Sequence, residues 1–371
     1  MLNNKNICVL GAGVSGLSTA SFLSDSGYPV HIITKDDPRT ATLHPEFSSL
    51  FPAASIIPHT VNSNKLRDLF RLSKDRFGKL HDKQFPGVTI NRHYELYSHP
   101  RSVPAYAKTM DHFEVFDDFK HEFHPDHPEY PAVAGWRYSA YFADWPLYFS
   151  ALIRNTLEKI EGFEIKTLSP DDIRELPYDI IINCTEIGSL NLFEDSSEQI
   201  LHRGHLLNLP GIPAIRDPQG KVVSYNFSPG KEVYRSENGI EQDVYCYSRQ
   251  DGLVLGGSRQ KGTLDSHGKW VGEESQDPVI AVDNLKLPAQ ILELHSAILN
   301  HSFECKLPPK SKMRSKVGYR FTRSHENGLR LETEETGDKL VIHNYGHGGA
   351  GVTLSWGCAH RVTELLKEAT N

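Results

Sequence analysis

The stretch ICVLGAGVSGLSTASFLSDSGYPVHIIT, residues 7–34, constrains this chain more than any other. An apolar run of strand length leads directly into Gly11, Gly13 and Gly16, and this G-x-G-x-x-G spacing opens a helix with Leu17, Ala20 and Leu23 at helical intervals. Gly27 predicts the helix stop, and the β-branched run Val30 to Thr34 predicts a buried parallel strand. In such a unit the first glycine makes the turn. The second lets backbone approach a pyrophosphate, and the third lets helix and strand pack closely. The pattern predicts dinucleotide binding through Gly11, Gly13, Val14, Ser15 and Gly16, the alternative being a tight turn without ligand. Lys35 and Asp36 follow the second strand. Asp36 is the candidate ribose ligand, although it stands slightly beyond the strand end. The motif alone does not separate FAD from NAD.

A second glycine cluster, VIHNYGHGGAGVTLSWGCA at 341–359, begins the last predicted helix. Glycine loses the most backbone freedom on folding, so a cluster marks a tight turn or a close approach to something else. Helix N-termini also attract negative charge through free N–H groups and the dipole. An NAD dehydrogenase needs only one such turn. An FAD domain of the glutathione-reductase type ends in a strand, a glycine turn and a helix aimed at the flavin. Val352, Trp356, Ala359, Val362 and Leu366 share one face of that helix.

Between these ends the chain changes character. Residues 63–82 read as an amphipathic helix, 84–138 as short strands and loops rich in aromatics, His and Pro, 145–162 as helix and 178–189 as a buried strand. Several strands follow between 200 and 262, then a helix over 280–299. The fold class expected is α/β. It comprises a Rossmann-like FAD domain of the glutathione-reductase type built from discontinuous segments (1–60, 139–195, 323–371), plus an α+β substrate domain with a mostly antiparallel sheet (61–138, 196–322).

The net charge of −7 argues against a nucleic-acid-binding surface. No apolar run approaches the ~20 residues that cross a bilayer. The opening MLNNKNICVL predicts no signal peptide, the closing KEATN carries no peroxisomal address, and five scattered cysteines form no C-x-x-C pair. A cytoplasmic protein without disulfides or membrane is expected. His121, His124 and His127 lie in HEFHPDHPEY, where Pro125 and Pro128 interrupt regular presentation, so a solvated loop is expected and no metal.

The C-terminal glycine segment resembles the signature of the D-amino-acid oxidase and D-aspartate oxidase family. VGYRFTR (317–323) with LRLE (329–332) resembles its substrate-arginine segment, and GAGVSGLSTA, NCTEIGS and VLGGSRQKG fall in family order. The resemblance implies FAD as cofactor and oxidation of a D-amino acid by molecular oxygen. The products would be a 2-oxo acid, ammonia and hydrogen peroxide. By position, Arg320 would fork onto the substrate carboxylate, Tyr245 would reach the same group, and the Gly349 carbonyl would accept from the amine. Gly348, Gly349, Gly351, Val352 and Thr353 would run along the flavin, with Ala53, Ala54 and Ser55 past the ring and Leu168 near the adenosine. Arg259 and Arg235 fall near arginines of the D-aspartate oxidases and imply acidic substrates; surface pairing with Glu237 or Asp251 is their alternative. A homodimer is compatible with the resemblance. Glu186, His205 and Glu241 depart from the family pattern, which usually has a small residue, a glutamine and, in some members, a lid tyrosine there. The alternatives are an amine oxidase or dehydrogenase of the glycine or sarcosine oxidase type, and a flavin-binding protein without amino-acid turnover.

Overall fold

The computed structural model describes residues 6–40, 44–58, 65–276, 278–323 and 328–370. The chain divides into two compact units, one of Met1–Val88, Trp145–Ile200 and Arg320–Asn371, the other of Thr89–Asp144 and Leu201–Tyr319.

The first unit is built on a six-stranded sheet, counted among the described residues. Its order is Arg330–Thr336, Lys339–Tyr345, Ile180–Asn183, Ile7–Leu10, Val30–Thr34, Gly162–Ile165. Ile7 pairs in parallel with both Val30 and Ile180, and Ile180 with Leu340; the edge strand Arg330–Thr336 is antiparallel. Ile7, Cys8, Val9 and Leu10 are all buried, as a parallel strand covered on both faces requires. The first helix, Val14–Asp25, packs against the C-terminal helix, Gly351–Thr370. Val352, Trp356, Ala359, Val362 and Leu366 of the latter are buried.

The helix Leu66–Asp82 belongs to this unit, a correction to the 61–138 segment expected in the substrate domain. Its backbone lies against the C-terminal helix so closely that a Cβ at Gly357 would stand 2.0 Å from the Leu69 carbonyl oxygen. The Gly357 N–H donates to Ser73 Oγ at 2.8 Å. Amphipathicity identified the helix without naming its partner.

The second unit holds a ten-stranded sheet among the described residues. Val244–Arg249 pairs antiparallel with Gly252–Gly256 and with Val223–Ser228, whereas Val88–Tyr97 pairs in parallel with Val223–Ser228. Tyr225, Phe227, Cys246, Leu255, Leu294 and Ile298 lie in its core. The span expected as one helix over 280–299 is a hairpin, Val279–Val282 with Leu285–Pro288, followed by the helix Ala289–Phe303. Asp283 turns the hairpin at φ +49, and Pro288, which lacks an N–H, stands at the helix N-cap.

All five cysteines are free. Burial pushes the Cys8 and Cys184 thiols up to about 12. Among the described residues no helix is long and apolar enough to cross a membrane.

Candidate functional site

In the first unit, the carboxyl ends of the parallel strands and the starts of two helices converge. Gly11 ends the first strand at φ +96, and a Cβ there would stand 2.7 Å from the Cys184 carbonyl oxygen. Gly13 is the N-cap of the first helix, whose first turn carries no acidic residue. A Cβ at Gly16 would lie 1.9 Å from the Gly11 carbonyl oxygen, so only glycine permits this helix to sit so close to its strand. Ser49 Oγ accepts from the Val14 N–H at 2.9 Å, a neighbour that no sequence motif pointed to. Ser15 Oγ reaches the Asn344 carbonyl at 3.4 Å, joining the two glycine segments.

Lys35 is exposed beyond the second strand. Asp36 lies 3.4 Å from His44 Nε2, and its carbonyl accepts from Thr34 Oγ1 at 3.1 Å. The structure brings Ala53, Ala54 and Ser55 to the start of the C-terminal helix, where Thr353 Oγ1 donates to the Ser55 carbonyl at 3.3 Å. Ala54 has φ +71. The buried Ser55 hydroxyl has no hydrogen-bond partner among the described residues. Val352 and Thr353 are buried, Gly351 starts the helix, and Gly348 and Gly349 form an open turn at its tip. Leu168 packs on the cluster of Cys8, Ile33 and Ile181.

These residues fit a dinucleotide. Glycines at 11, 13 and 16, two helix starts with no acidic side chain in their first turns and an orphaned hydroxyl together offer close approach and donors to phosphates.

The strand entering the glycine turn is firmly held. Asp195 takes the Tyr345 hydroxyl and pairs with Arg323 Nε at 3.0 Å, and Arg330 Nη1 donates to Tyr345 at 3.2 Å. Arg323 is thus engaged with Asp195, three residues after Arg320. Arg320 lies on the strand Arg314–Arg323, which pairs with Gln199–Pro210, and is partly buried.

The departure at Glu186 has a partner within the unit. Its carboxylate accepts from the Gly346 N–H at 2.9 Å and pairs with His347 Nδ1. Burial alone would lower the His347 pKa; Glu186 and Cys358, each acting on the ring, outweigh that and bring it to about 10.

In the second unit, Tyr245 is buried with its ring over Gly256 of the neighbouring strand, where a Cβ would lie 2.2 Å from the ring. Its ring centroid is 5.5 Å from that of Tyr247. Arg259 pairs with Asp243 rather than with Glu237 or Asp251, and its N–H donates to Gln242 Oε1 at 2.7 Å. Arg235 is half-exposed; its guanidinium reaches Glu232 at 3.5 Å, and its residue borders a polar cavity of about 190 Å³ with Tyr234, Gln242 and Ser258. The structure therefore does not place both arginines around one charge. His205 bonds to Ser258 Oγ at 2.9 Å, and Glu241 takes Ser228 Oγ with His99 Nε2 at 3.4 Å. His121 pairs with Asp118 at 2.6 Å, His124 Nδ1 meets the Glu122 carbonyl at 2.9 Å, and His127 accepts two backbone N–H groups at 3.2 Å.

Comparison with known proteins places this geometry. A family model described as FAD dependent oxidoreductase matches residues 6–365. A D-amino-acid oxidase of Dictyostelium discoideum is 26% identical over 370 residues, covering 98% of this chain and 92% of that one. A D-aspartate oxidase of Homo sapiens is 26% identical over 388 residues, covering 100% and 97%. The solved glycine oxidase of Bacillus cereus superposes with a TM-score of 0.64 at 14% identity, covering 99% of this chain and 96% of that chain.

Proposed function

The chain belongs to the FAD-dependent oxidoreductase family, and from that premise we propose that it oxidises D-amino acids to 2-oxo acids, ammonia and hydrogen peroxide. One observation carries the substrate class: nearly full-length likeness to relatives named D-amino-acid oxidase and D-aspartate oxidase. Gly11, Gly13, Val14, Ser15 and Gly16 would hold the pyrophosphate, with Asp36 toward the ribose and Lys35 beside it. Gly348, Gly349, Gly351, Val352 and Thr353, with Ala53, Ala54 and Ser55, would hold the flavin, and Leu168 the adenosine. Bound FAD would supply the two-electron acceptor that oxygen restores.

Arg320 would bind the substrate carboxylate through two parallel charge-assisted hydrogen bonds, and Tyr245 would donate a third. The Gly349 carbonyl would accept from the amine. These contacts orient the α-carbon, and positioning then carries the step without a side-chain base. An acidic side chain, D-aspartate or D-glutamate, would engage Arg259 only by exchanging with Asp243.

The test is a screen of D- and L-amino acids with peroxide detection on the yellow, FAD-loaded protein. Peroxide from D- but not L-amino acids supports the reading. Turnover of glycine or sarcosine alone would assign it to the glycine-oxidase-like alternative, which the fold likeness favours as second reading.

A further inference from the structure

Glu186 adopts φ +49, a left-handed conformation that a residue with a Cβ takes only when its surroundings enforce it. What enforces it is its carboxylate. One oxygen accepts from the Gly346 N–H at 2.9 Å, and the other meets His347 Nδ1. Gly346 is itself at φ +86, with its Cα so near Gly328 that a Cβ would stand 2.5 Å from the Gly328 carbonyl oxygen. His347 is 1% exposed. Its Nε2 lies 3.1 Å from Asn344 Oδ1, and the Asn344 amide is oriented by donating to Thr19 Oγ1 at 3.1 Å and toward Cys184 Sγ at 3.7 Å. Both ring nitrogens therefore face acceptors. A neutral imidazole has one N–H and would leave one of these contacts without a proton; the imidazolium satisfies both.

Gly348 and Gly349 follow at once, and the Cβ of His347 stands 3.8 Å from where a Cβ at Gly351 would be. The ion pair thus grips the backbone immediately ahead of the turn that begins the C-terminal helix. We propose that Glu186 is a positioning residue for FAD: its ionised carboxylate holds His347 as an imidazolium and, with the Gly346 N–H, fixes the 346–351 turn in its cofactor-binding form. This rests on FAD binding and is independent of which substrate is turned over.

Glu186→Gln separates charge from shape, because its carbonyl still accepts from Gly346 but no longer balances an imidazolium. The measurements are FAD release from the holoenzyme on dilution, read as flavin fluorescence, and imidazole nitrogen-15 shifts at pH 8. Expected are a doubly protonated His347 in the wild type, a neutral one in E186Q, an FAD dissociation constant raised at least about tenfold, and recovery to within about threefold in Glu186→Asp. If E186Q does not fold, His347→Gln, which keeps an amide donor toward Glu186, should show the same tenfold loss. A singly protonated His347 in the wild type, or FAD bound by E186Q or H347Q within twofold of the wild type, overturns the proposal.

Discussion

The Arg259 guanidinium is closed onto the carboxylate of Asp243, two residues ahead of Tyr245. Asp243 keeps the arginine pKa above its ordinary value, against the opposing effect of burial. An incoming acidic side chain would meet a neutralised pair, and a neutral one would leave no guanidinium unpaired. Asp243→Asn should therefore raise kcat/KM for D-aspartate relative to D-alanine by at least about tenfold, roughly 1.4 kcal/mol. Arg259→Ala should move the ratio the other way. A ratio unchanged in both variants would remove Arg259 from the side-chain pocket.

Tyr245 has room for its ring only because residue 256 on the adjacent strand is glycine. Gly256→Ala should displace the ring, raising KM about tenfold while the flavin content stays at the wild-type level. Tyr245→Phe should cost about 1.5–3 kcal/mol of substrate binding, the range for a hydrogen bond to a charged group. Equal KM values in wild type and both variants would show that Tyr245 is packing alone.

Arg320→Ala tests the proposed carboxylate anchor. Losing the partner of a carboxylate in a desolvated site costs about 2–5 kcal/mol, much of it from the charge left behind. KM should rise by about one and a half to three and a half orders of magnitude, with absorbance of the bound flavin unchanged. An unaltered KM would move the anchor elsewhere.

The glycine turn after the first strand was legible because Gly11 and Gly16 answer local demands that sequence spacing records: Gly11 at φ +96, Gly16 against its own strand. The C-terminal helix face was legible for the same reason, its burial being periodic. The partner of Leu66–Asp82 was not, since an amphipathic stripe says that a face is buried and not against what. The hairpin at 279–288 was hidden because its apolar residues also suit a helix; Asp283-Asn284 marked its turn and Pro288 its end. Ser49, Asp243 and His347 acquire their roles from partners distant along the chain. Glu186 was visible as a departure, but its pairing with His347, 161 residues on, was not.

Two of the buried histidines, His295 and His347, should act on opposite limbs of the pH–stability curve. Burial lowers His295 to about 4, with Nε2–H donating to the Gly256 carbonyl at 3.2 Å and Nδ1 facing the Tyr225 hydroxyl at 2.8 Å. The unfolded chain binds that proton from about pH 6.5 downward, so stability falls between about 6.5 and 4. His347 is raised to about 10, so its contribution is complete below about 6.5 and is lost as pH climbs through 10. Thermal unfolding of the FAD-free chain should show Tm falling by several degrees from pH 7 to 10, and His347→Gln should flatten that limb alone. An alkaline limb equally steep in the variant would assign it to other groups.

Gly351 separates the needs of the fold from those of the cofactor. It begins the C-terminal helix with ordinary helical angles, and a Cβ there would meet His347 Cβ and Val14 Cγ1 at 3.8 Å, both unstrained contacts. The chain itself would accept alanine, which gains up to about 1 kcal/mol over glycine in a helix. Gly16 is the contrast, since its Cβ would collide with backbone and the protein should lose stability with or without FAD. Gly351→Ala should leave the FAD-free Tm equal or slightly higher yet weaken FAD binding at least about tenfold, because on the proposed placement of the flavin the added methyl would intrude on it. If Gly351→Ala binds FAD as tightly as the wild type, the glycine turn does not face the cofactor.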